Sequence, residues 1–218
     1  MHKGIDVSSF QGSVDFQKVH DAGNRFVMIK LTEGATLVDR AALGHQRAAR
    51  KANLHSGFYH FLHPQSGRRG RVEAEFFYKH AEGVKGAQHG AELLRLALDI
   101  ELTHFVGRGK TAEARFRDMS ERTLDYAHDA ATRLQEIAHH TPQIYTFPAF
   151  LPNWSERFAE FPLWIAHPGV RRPTLPLPWR EYTIWQNSFR GRVDGVHGLV
   201  DTDVCPELSR LMLERDHY

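Results

Sequence analysis

The chain has little of what would tie it to a metal cluster, a membrane or a nucleic acid. Cys205 is the only cysteine among 218 residues, which excludes an intrachain disulfide framework and a zinc site built from cysteines. No apolar run approaches the ~18–20 residues that a membrane-spanning helix needs. Lysine and arginine total 28 against 26 aspartates and glutamates. Because no long basic run occurs, we expect no nucleic-acid partner.

Common signatures of catalytic sites are also missing. The fifteen histidines show no His-Glu-x-x-His or similar ligand spacing, so we predict neither a catalytic metal nor another cofactor. No Gly-rich phosphate loop is present, which argues against phosphate chemistry. The first residues lack the basic and then apolar regions of a signal peptide. We therefore expect a mature chain, or one exported without such a peptide.

Eight segments have the composition of β-strands, and helical patterns separate most of the first five. This alternation predicts a parallel sheet, and eight strands predict closure into a barrel. Between the sixth and seventh of these segments, a helix is excluded by Pro168, Pro173, Pro176 and Pro178. We therefore predict an α/β fold, an irregular TIM-like barrel whose last three strands lack regular crossover helices, with residues 1–218 as a single domain. The strands are predicted at residues 4–8, 26–32, 55–62, 93–101, 143–146, 163–166, 182–188 and 199–203, and helices at 15–22, 39–52, 68–82 and 111–139.

The fourth predicted strand ends in two acids, Asp99 and Glu101. Side chains alternate along a strand, so both carboxyls share a face with Ala97, their Cβ atoms roughly 6–7 Å apart. Burying two neighbouring carboxyls costs free energy unless a site uses them. Taken alone, the pair is explained equally well by a functional site and by solvated charges or an ion pair with a nearby lysine or arginine. The opposite face of this strand carries Leu94, Leu96, Leu98 and Ile100.

Polar or ionisable residues end nearly every predicted strand. In barrels of this kind, active sites lie at the C-terminal ends of the strands. A purely structural barrel would lose stability by gathering four or more carboxyls at one mouth, because like charges repel. We therefore predict an active site there. The residues that we place at this mouth are Asp6, Lys30, Glu33, His60, Asp99, Glu101, Tyr145, Gln186, Asp201 and Asp203.

An acid cluster of this type suits glycoside hydrolysis, which needs two positioned carboxyls and aromatic surfaces for sugar rings. Tyr59, Tyr145 and Trp164 lie near strand ends and could supply those surfaces. Trp185 should face away from Gln186, so packing in the core explains it better.

Eight stretches of the chain resemble, in order, the family 25 glycoside hydrolases, the Chalaropsis-type lysozymes. Together they cover nearly the whole chain, and eight in order are far more specific than any one alone. Phe10 and Phe16 stand where that family often has tryptophan, and His167-Pro168 stands where an aromatic is commoner. The matching stretches are residues 4–8 with 11–12, 26–34, 57–61, 98–101, 144–146, 163–166, 185–186 and 200–203.

The resemblance implies a (β/α)5β3 barrel that cuts the β-1,4 bond between N-acetylmuramic acid and N-acetylglucosamine in peptidoglycan glycan strands. By position, Glu101 would be the general acid and Asp99 would orient the substrate's 2-acetamido group, while Asp6 and Asp201 complete the acidic mouth. Such an enzyme acts on the cell wall, outside the cell or after phage release, and we expect a monomer. The expected substrate contacts are Lys30, Glu33, His60, Tyr59, Tyr145, Trp164, Gln186 and Asp203.

Asp99 is too close to Glu101 along one strand to attack the sugar from its far face. We therefore expect attack by the substrate's own acetamido oxygen, with net retention of configuration. A covalent intermediate on Asp6, or a water activated by an aspartate, is the alternative. Three other functions stay open: a non-catalytic wall-binding module, a barrel glycosidase acting on chitin, and a metal-dependent deacetylase.

Overall fold

The computed structural model describes residues 1–64, 69–85, 94–101, 112–148 and 154–213. These residues form nine strands and four α-helices. The strands are β1 His2–Val7, β2 Asn24–Glu33, β3 Leu37–Val38, β4 His55–Phe61, β5 Ala97–Asp99, β6 Gln143–Thr146, β7 Leu163–Ala166, β8 Ile184–Gly191 and β9 Val200–Cys205. The helices are α1 Phe16–Asp21, α2 Ala42–Lys51, α3 Gly70–Lys85 and α4 Ala112–Ala138. Short 3-10 helices lie at Ser9–Gln11, Glu156–Phe158 and Leu208–Leu211.

The strands form one sheet that closes on itself. Their order is β1-β9-β8-β7-β6-β5-β4-β2-β3, and β1 also pairs with β2. The four α-helices lie in the connections that lead from β1 to β2, β2 to β4, β4 to β5 and β5 to β6, while β7 to β8 has none. The predicted irregular barrel is therefore confirmed. Within the described ranges, no helix has both the length and the apolar character needed to cross a membrane.

The prediction of a parallel sheet is wrong for the last strand. β9 runs antiparallel to β1 and to β8, whereas β1, β2 and the strands from β4 to β8 pair in parallel. The reason is the short connection after β8. It contains no crossover helix to carry the chain back across the barrel, so β9 returns as the second arm of a hairpin.

Alternation along the strands separates two apolar cores. In β2, Val27 and Ile29 belong to the larger core, which the helices cover, whereas Phe26 and Met28 belong to the smaller core inside the barrel. Two glycines make this narrow interior possible. A Cβ on Gly4 would meet the Phe26 ring at 2.5 Å, and one on Gly57 would meet Met28 Sδ at 2.6 Å.

The fourth predicted strand is shorter than its pattern indicates. Only Ala97–Asp99 is strand, and Leu94 belongs to the inner core together with Ala97, so its expected place on the opposite face is wrong. The alternation breaks because Leu94 forms a bridge with Met212, and Arg95 N donates to Leu211 O at 2.7 Å. Beyond this break, Leu96, Leu98 and Ile100 lie in the outer core as predicted.

The loop after β2 contains two features that the pattern missed. β3 pairs antiparallel with Thr32 and Glu33 at the end of β2. The next residue, Asp39, was predicted to begin a helix, but its side chain accepts hydrogen bonds from Ala41 N at 2.8 Å and Ser9 N at 2.9 Å. This buried carboxylate therefore fastens the loop after β1 to the loop before α2.

Candidate active site

Asp6 and Asp201 are direct partners across the β1–β9 ladder. Because β9 is antiparallel, Asp201 reaches the mouth at the start of its strand, and not at a C-terminal end as predicted. Asp203 lies one step deeper, paired with Gly4, and is 1% exposed. The two aspartates of β9 therefore occupy different depths of the barrel, although both face its interior.

Gln186 links these acids to the far side of the barrel. Its Nε2 donates to Asp6 Oδ2 at 2.6 Å and lies 3.4 Å from Asp201 Oδ2. Its Oε1 accepts a hydrogen bond from the Tyr145 hydroxyl at 2.8 Å. A hydrogen-bonded chain therefore crosses the interior from β6, through β8, to β1.

The Asp6 carboxyl is protonated more readily than an ordinary aspartate. Burial and, after it, the nearby Asp201 carboxyl raise the pKa of Asp6 from 3.8 to about 7, although hydrogen bonds from Gln186 and Asp203 act in the opposite direction. Burial also raises the pKa of Asp203 well above its ordinary value, and the Asp6 charge adds to this effect. These shifts indicate that the acids share protons near neutral pH.

Asp99 and Glu101 form a second pair of carboxyls at the end of β5. Their side chains are hydrogen bonded to each other, which requires a proton on one of the two. Burial raises the pKa of Glu101, and Asp201 raises it further, whereas the hydrogen bond with Asp99 and the charge of Lys30 lower it. The pKa of Asp99 is raised well above its ordinary value by burial and then by Glu101.

Lys30 and Glu33 form an ion pair at the end of β2, close to these acids. Glu33 Oε1 also lies 2.9 Å from His63 Nε2, and Lys30 Nζ lies 4.9 Å from the centre of the Phe61 ring. Phe61 and His63 were not among the predicted site residues. The only signal for them was their place at the end of β4 and directly after it.

Trp164 and its neighbours form the floor beneath the acids. The rings of Tyr59 and Tyr145 meet the Trp164 ring edge to face, with centroid distances of 5.9 and 4.8 Å. Trp164 is 1% exposed, and its Nε1 donates to Asp203 Oδ1 at 2.9 Å. It therefore offers no free face to a sugar ring. Trp185 faces outward as expected, and its Nε1 donates to His167 O at 3.0 Å.

His60 is not at the mouth, so its predicted position is wrong. It is fully buried on the helix-facing side of β4, where its ring stacks on Phe77 with 5.3 Å between centroids. Its Nδ1 lies 2.8 Å from Thr32 Oγ1, and its Nε2 lies 3.0 Å from Glu73 Oε2. The pairing of β2 with β4 shifts register between Lys30 and Thr32, which brings Thr32 and His60 together on the outer face.

Glu73, which the sequence reasoning missed, is the centre of this outer network. This residue of α3 is 1% exposed. It accepts hydrogen bonds from His63 N at 2.9 Å and from the Tyr126 hydroxyl at 2.8 Å, besides its contact with His60. Burial alone would raise the pKa of Glu73, but these donors outweigh it and hold the pKa below its ordinary value.

The structure thus gathers five carboxyls inside one end of a closed barrel: Asp6, Asp99, Glu101, Asp201 and Asp203. Two adjacent acids, one of them protonated, can supply a proton to a leaving group and stabilise the positive charge that then develops. Among the described residues, no group of three or more His, Cys, Asp or Glu side chains could hold a metal ion. A barrel with such a mouth has the architecture of a glycoside hydrolase.

Residues 5–196 match the family described as Glycosyl hydrolases family 25. The match covers most of the 218 residues. The chain belongs to this family and is a glycoside hydrolase.

Named relatives and solved structures agree with this assignment. Lysozyme M1 of Streptomyces globisporus is 31% identical over 91% of this chain, which spans 66% of that protein's length. The N,O-diacetylmuramidase of Chalaropsis sp is 29% identical over 91% of this chain and 95% of its own. The crystal structure of the bacterial lysozyme from Streptomyces coelicolor matches with a TM-score of 0.78 at 29% identity, covering 96% of this chain and 94% of that one.

Proposed function

We propose that the protein is a muramidase that hydrolyses the β-1,4 bond between N-acetylmuramic acid and N-acetylglucosamine in peptidoglycan. The observation that carries the proposal is the hydrogen-bonded Asp99–Glu101 pair facing Asp6 and Asp201 across one mouth. The names of the relatives, lysozyme and N,O-diacetylmuramidase, support this substrate.

Glu101 is the proposed general acid. It is half-buried at the rim, whereas Asp99 is 6% exposed, so a leaving oxygen has easier access to Glu101. Burial raises the pKa of Glu101, although the hydrogen bond with Asp99 lowers it, and the proposal requires that the proton shared by the pair lies on Glu101 when the reaction starts. When Glu101 gives its proton to the glycosidic oxygen, the bond between that oxygen and the anomeric carbon breaks.

The second half of the reaction is proposed to use the substrate itself. The oxygen of the 2-acetamido group attacks the anomeric carbon and forms a cyclic oxazolinium ion, which water then opens with net retention. Asp99 stabilises the positive charge on the acetamido nitrogen. Asp6 is a weaker candidate nucleophile, because its Oδ2 already accepts a short hydrogen bond from Gln186.

The proposal extends to the surroundings of the enzyme. We propose that residues 1–218 form one catalytic barrel that acts as a monomer on glycan strands of the cell wall, outside the cell or after phage release. Lys30, Glu33 and Tyr59 are the half-buried residues proposed to contact the glycan. His60 and Trp164 are too deeply buried for that role.

Digestion of purified peptidoglycan tests the proposal. Borohydride reduction followed by mass analysis should find reduced N-acetylmuramic acid at the new chain ends. Reduced N-acetylglucosamine at those ends would contradict the proposed bond. Proton NMR of the first product should show the β-anomer if configuration is retained.

The same assay separates the alternatives. A wall-binding module would sediment with the peptidoglycan and release no reducing ends, and a chitin-directed enzyme would release soluble fragments from chitin and leave peptidoglycan intact. A metal-dependent deacetylase would release acetate in a reaction that a chelator stops. Each of these results would replace the muramidase proposal.

A further inference from the structure

We infer that Asp203 is a positioning residue: a neutral carboxylic acid that donates a hydrogen bond to Asp6 and holds the Asp6 carboxylate in place. The inference rests on the proposed function, because it assigns a working role to Asp6 at the mouth of a muramidase. It replaces the sequence-based expectation that Asp203 contacts the substrate.

The position of Asp203 excludes direct contact with a glycan. Its side chain is 1% exposed and lies one step below the Asp6–Asp201 pair. Its partner across the ladder is Gly4, and the space where a side chain of that residue would lie is filled by the Phe26 ring. Trp164 closes the interior beside it. Asp203 therefore lies among apolar rings, where a second negative charge next to Asp6 would be poorly solvated.

The hydrogen bonds decide where the proton lies. Trp164 Nε1 can only donate, so Asp203 Oδ1 accepts at 2.9 Å. Oδ2 is buried and has no hydrogen-bond partner among the described groups that always donate. Asp6 and Asp203 both face the interior from neighbouring strands, and the pKa of each is shifted by a hydrogen bond between the two side chains. Two carboxyls can form such a bond only if one carries a proton. Asp6 Oδ2 already accepts from Gln186, so we place the proton on Asp203 Oδ2.

The charged and titratable groups around the pair agree with this placement. Asp201 faces the pair from β9, Asp99 and Glu101 from the end of β5, and the phenols of Tyr59 and Tyr145 from β4 and β6. None of these five groups can carry a positive charge. The direction of the Asp203 pKa shift, upward from burial and then from Asp6, is the one expected for a neutral acid.

Asp6 is thus held by two chains of donors. One runs from Tyr145 through Gln186, and the other runs from Trp164 through Asp203. Both end on the same carboxyl, which restricts its rotation and favours its ionised form. Asp203 therefore acts on the reaction through Asp6, whose carboxylate, when ionised, stabilises the positive charge that develops on the sugar.

Two substitutions of Asp203 test the inference through the pH profile of kcat on purified peptidoglycan. In Asp203→Asn, Nδ2 replaces the hydroxyl as donor to Asp6, and Oδ1 still accepts from Trp164. We expect the acid limb of the profile to stay within about 0.3 pH of wild type. In Asp203→Ala the donor is lost, so the Asp6 pKa rises. The acid limb should then move up by about one pH unit, with kcat at about pH 6 falling roughly tenfold or more and KM little changed.

The opposite result in Asp203→Asn would overturn the inference. If Asp203 were ionised in the working enzyme, asparagine would remove a negative charge beside Asp6, and the acid limb would move down by about one unit. If Asp203 instead touched the glycan, both variants would raise KM without moving the limb.

A spectroscopic measurement separates this inference from the proposed function. Infrared spectra at about pH 7 should show the carbonyl band of protonated carboxyls in the wild type. In Asp203→Asn the band should be weaker by the contribution of one carboxyl. An unchanged band would overturn the inference even in an active enzyme. Failure of the wild type to cleave peptidoglycan would instead overturn the proposed function and leave the infrared result standing.

Discussion

Replacing Glu101 by glutamine is the sharpest test of the proposed mechanism. Glutamine keeps the size of the side chain and can still hydrogen bond to Asp99, but it cannot give a proton to the leaving oxygen. Glu101 lies on the rim of the barrel and is half-buried, so the change removes no part of the apolar core. We therefore expect the variant to fold and to bind glycan.

The structure also sets the size of the expected effect. A general acid contributes ~10²–10⁴-fold, equal to about 2.7–5.5 kcal/mol at 1.36 kcal/mol per factor of ten. Asp99, which is hydrogen bonded to Glu101 and has a raised pKa, stays protonatable in the variant and can supply a poorly placed proton. We therefore expect kcat to fall by about 10²–10³-fold, in the lower part of that range.

The assay is release of reducing ends from purified peptidoglycan, together with sedimentation of the protein with the insoluble walls. Glu82→Gln is a matched control, because Glu82 is an exposed glutamate near the end of α3, the helix that leads away from the mouth. Its activity should equal that of wild type. A Glu101→Gln enzyme that kept more than about a tenth of the wild-type rate would refute the assignment of Glu101 as general acid.

Three further substitutions test the charged groups at the mouth and in the outer network around Glu73. Lys30→Met removes a positive charge that lowers the Glu101 pKa, so the Glu101 pKa should rise. The basic limb of the activity–pH profile should then move up by roughly half a pH unit to one pH unit, and a downward shift of that limb would contradict this. Asp6→Asn should stabilise the fold by ~0.5–2 kcal/mol in urea unfolding at about pH 8 and by much less at about pH 4. The pKa of Asp6 is raised to about 7, so its ionisation costs folding free energy only at the higher pH. Equal stabilisation at both pH values would argue against the raised pKa. Glu73→Leu should cost on the order of 3–5 kcal/mol at neutral pH, since it removes the buried carboxylate that accepts from His60 and two other donors. Because the Glu73 pKa is lowered, this loss should shrink as the pH falls below about 4.5; a cost under about 1 kcal/mol at neutral pH would contradict the role of Glu73.

The barrel was predictable because strand and helix patterns alternate along the chain, and each is a local property. The direction of β9 was not predictable from its pattern. Side chains alternate with the same period whichever way a strand runs, so the sequence shows that Asp201 and Asp203 share a face but not which of them is nearer the mouth. The decisive feature is the absence of a crossover helix after β8, which is a property of the connection.

His60 shows a second limit of pattern reasoning. Tyr59 and His60 are neighbours, so they must face opposite sides of β4, and both are polar enough to line a mouth. What places His60 outside is Glu73, which lies 13 residues further on, in another element. A buried carboxylate whose hydrogen-bond donors come from other elements of the fold cannot be recognised from its neighbours in the sequence. The Asp99–Glu101 pair, by contrast, was found because both acids stand at the end of a single apolar strand.

The pairing of β1 with β9 also has a consequence for how the protein is made. Asp201, the ladder partner of Asp6, leaves the ribosome nearly two hundred residues after it, which at ~5–20 residues per second is a delay of about 10–40 seconds. Until that last strand emerges, β1 has only β2 beside it, and the acid cluster lacks two of its five members. A nascent chain therefore cannot assemble the mouth. Hydrolytic activity should begin only once translation has passed β9, so a truncation before Val200 should abolish it completely.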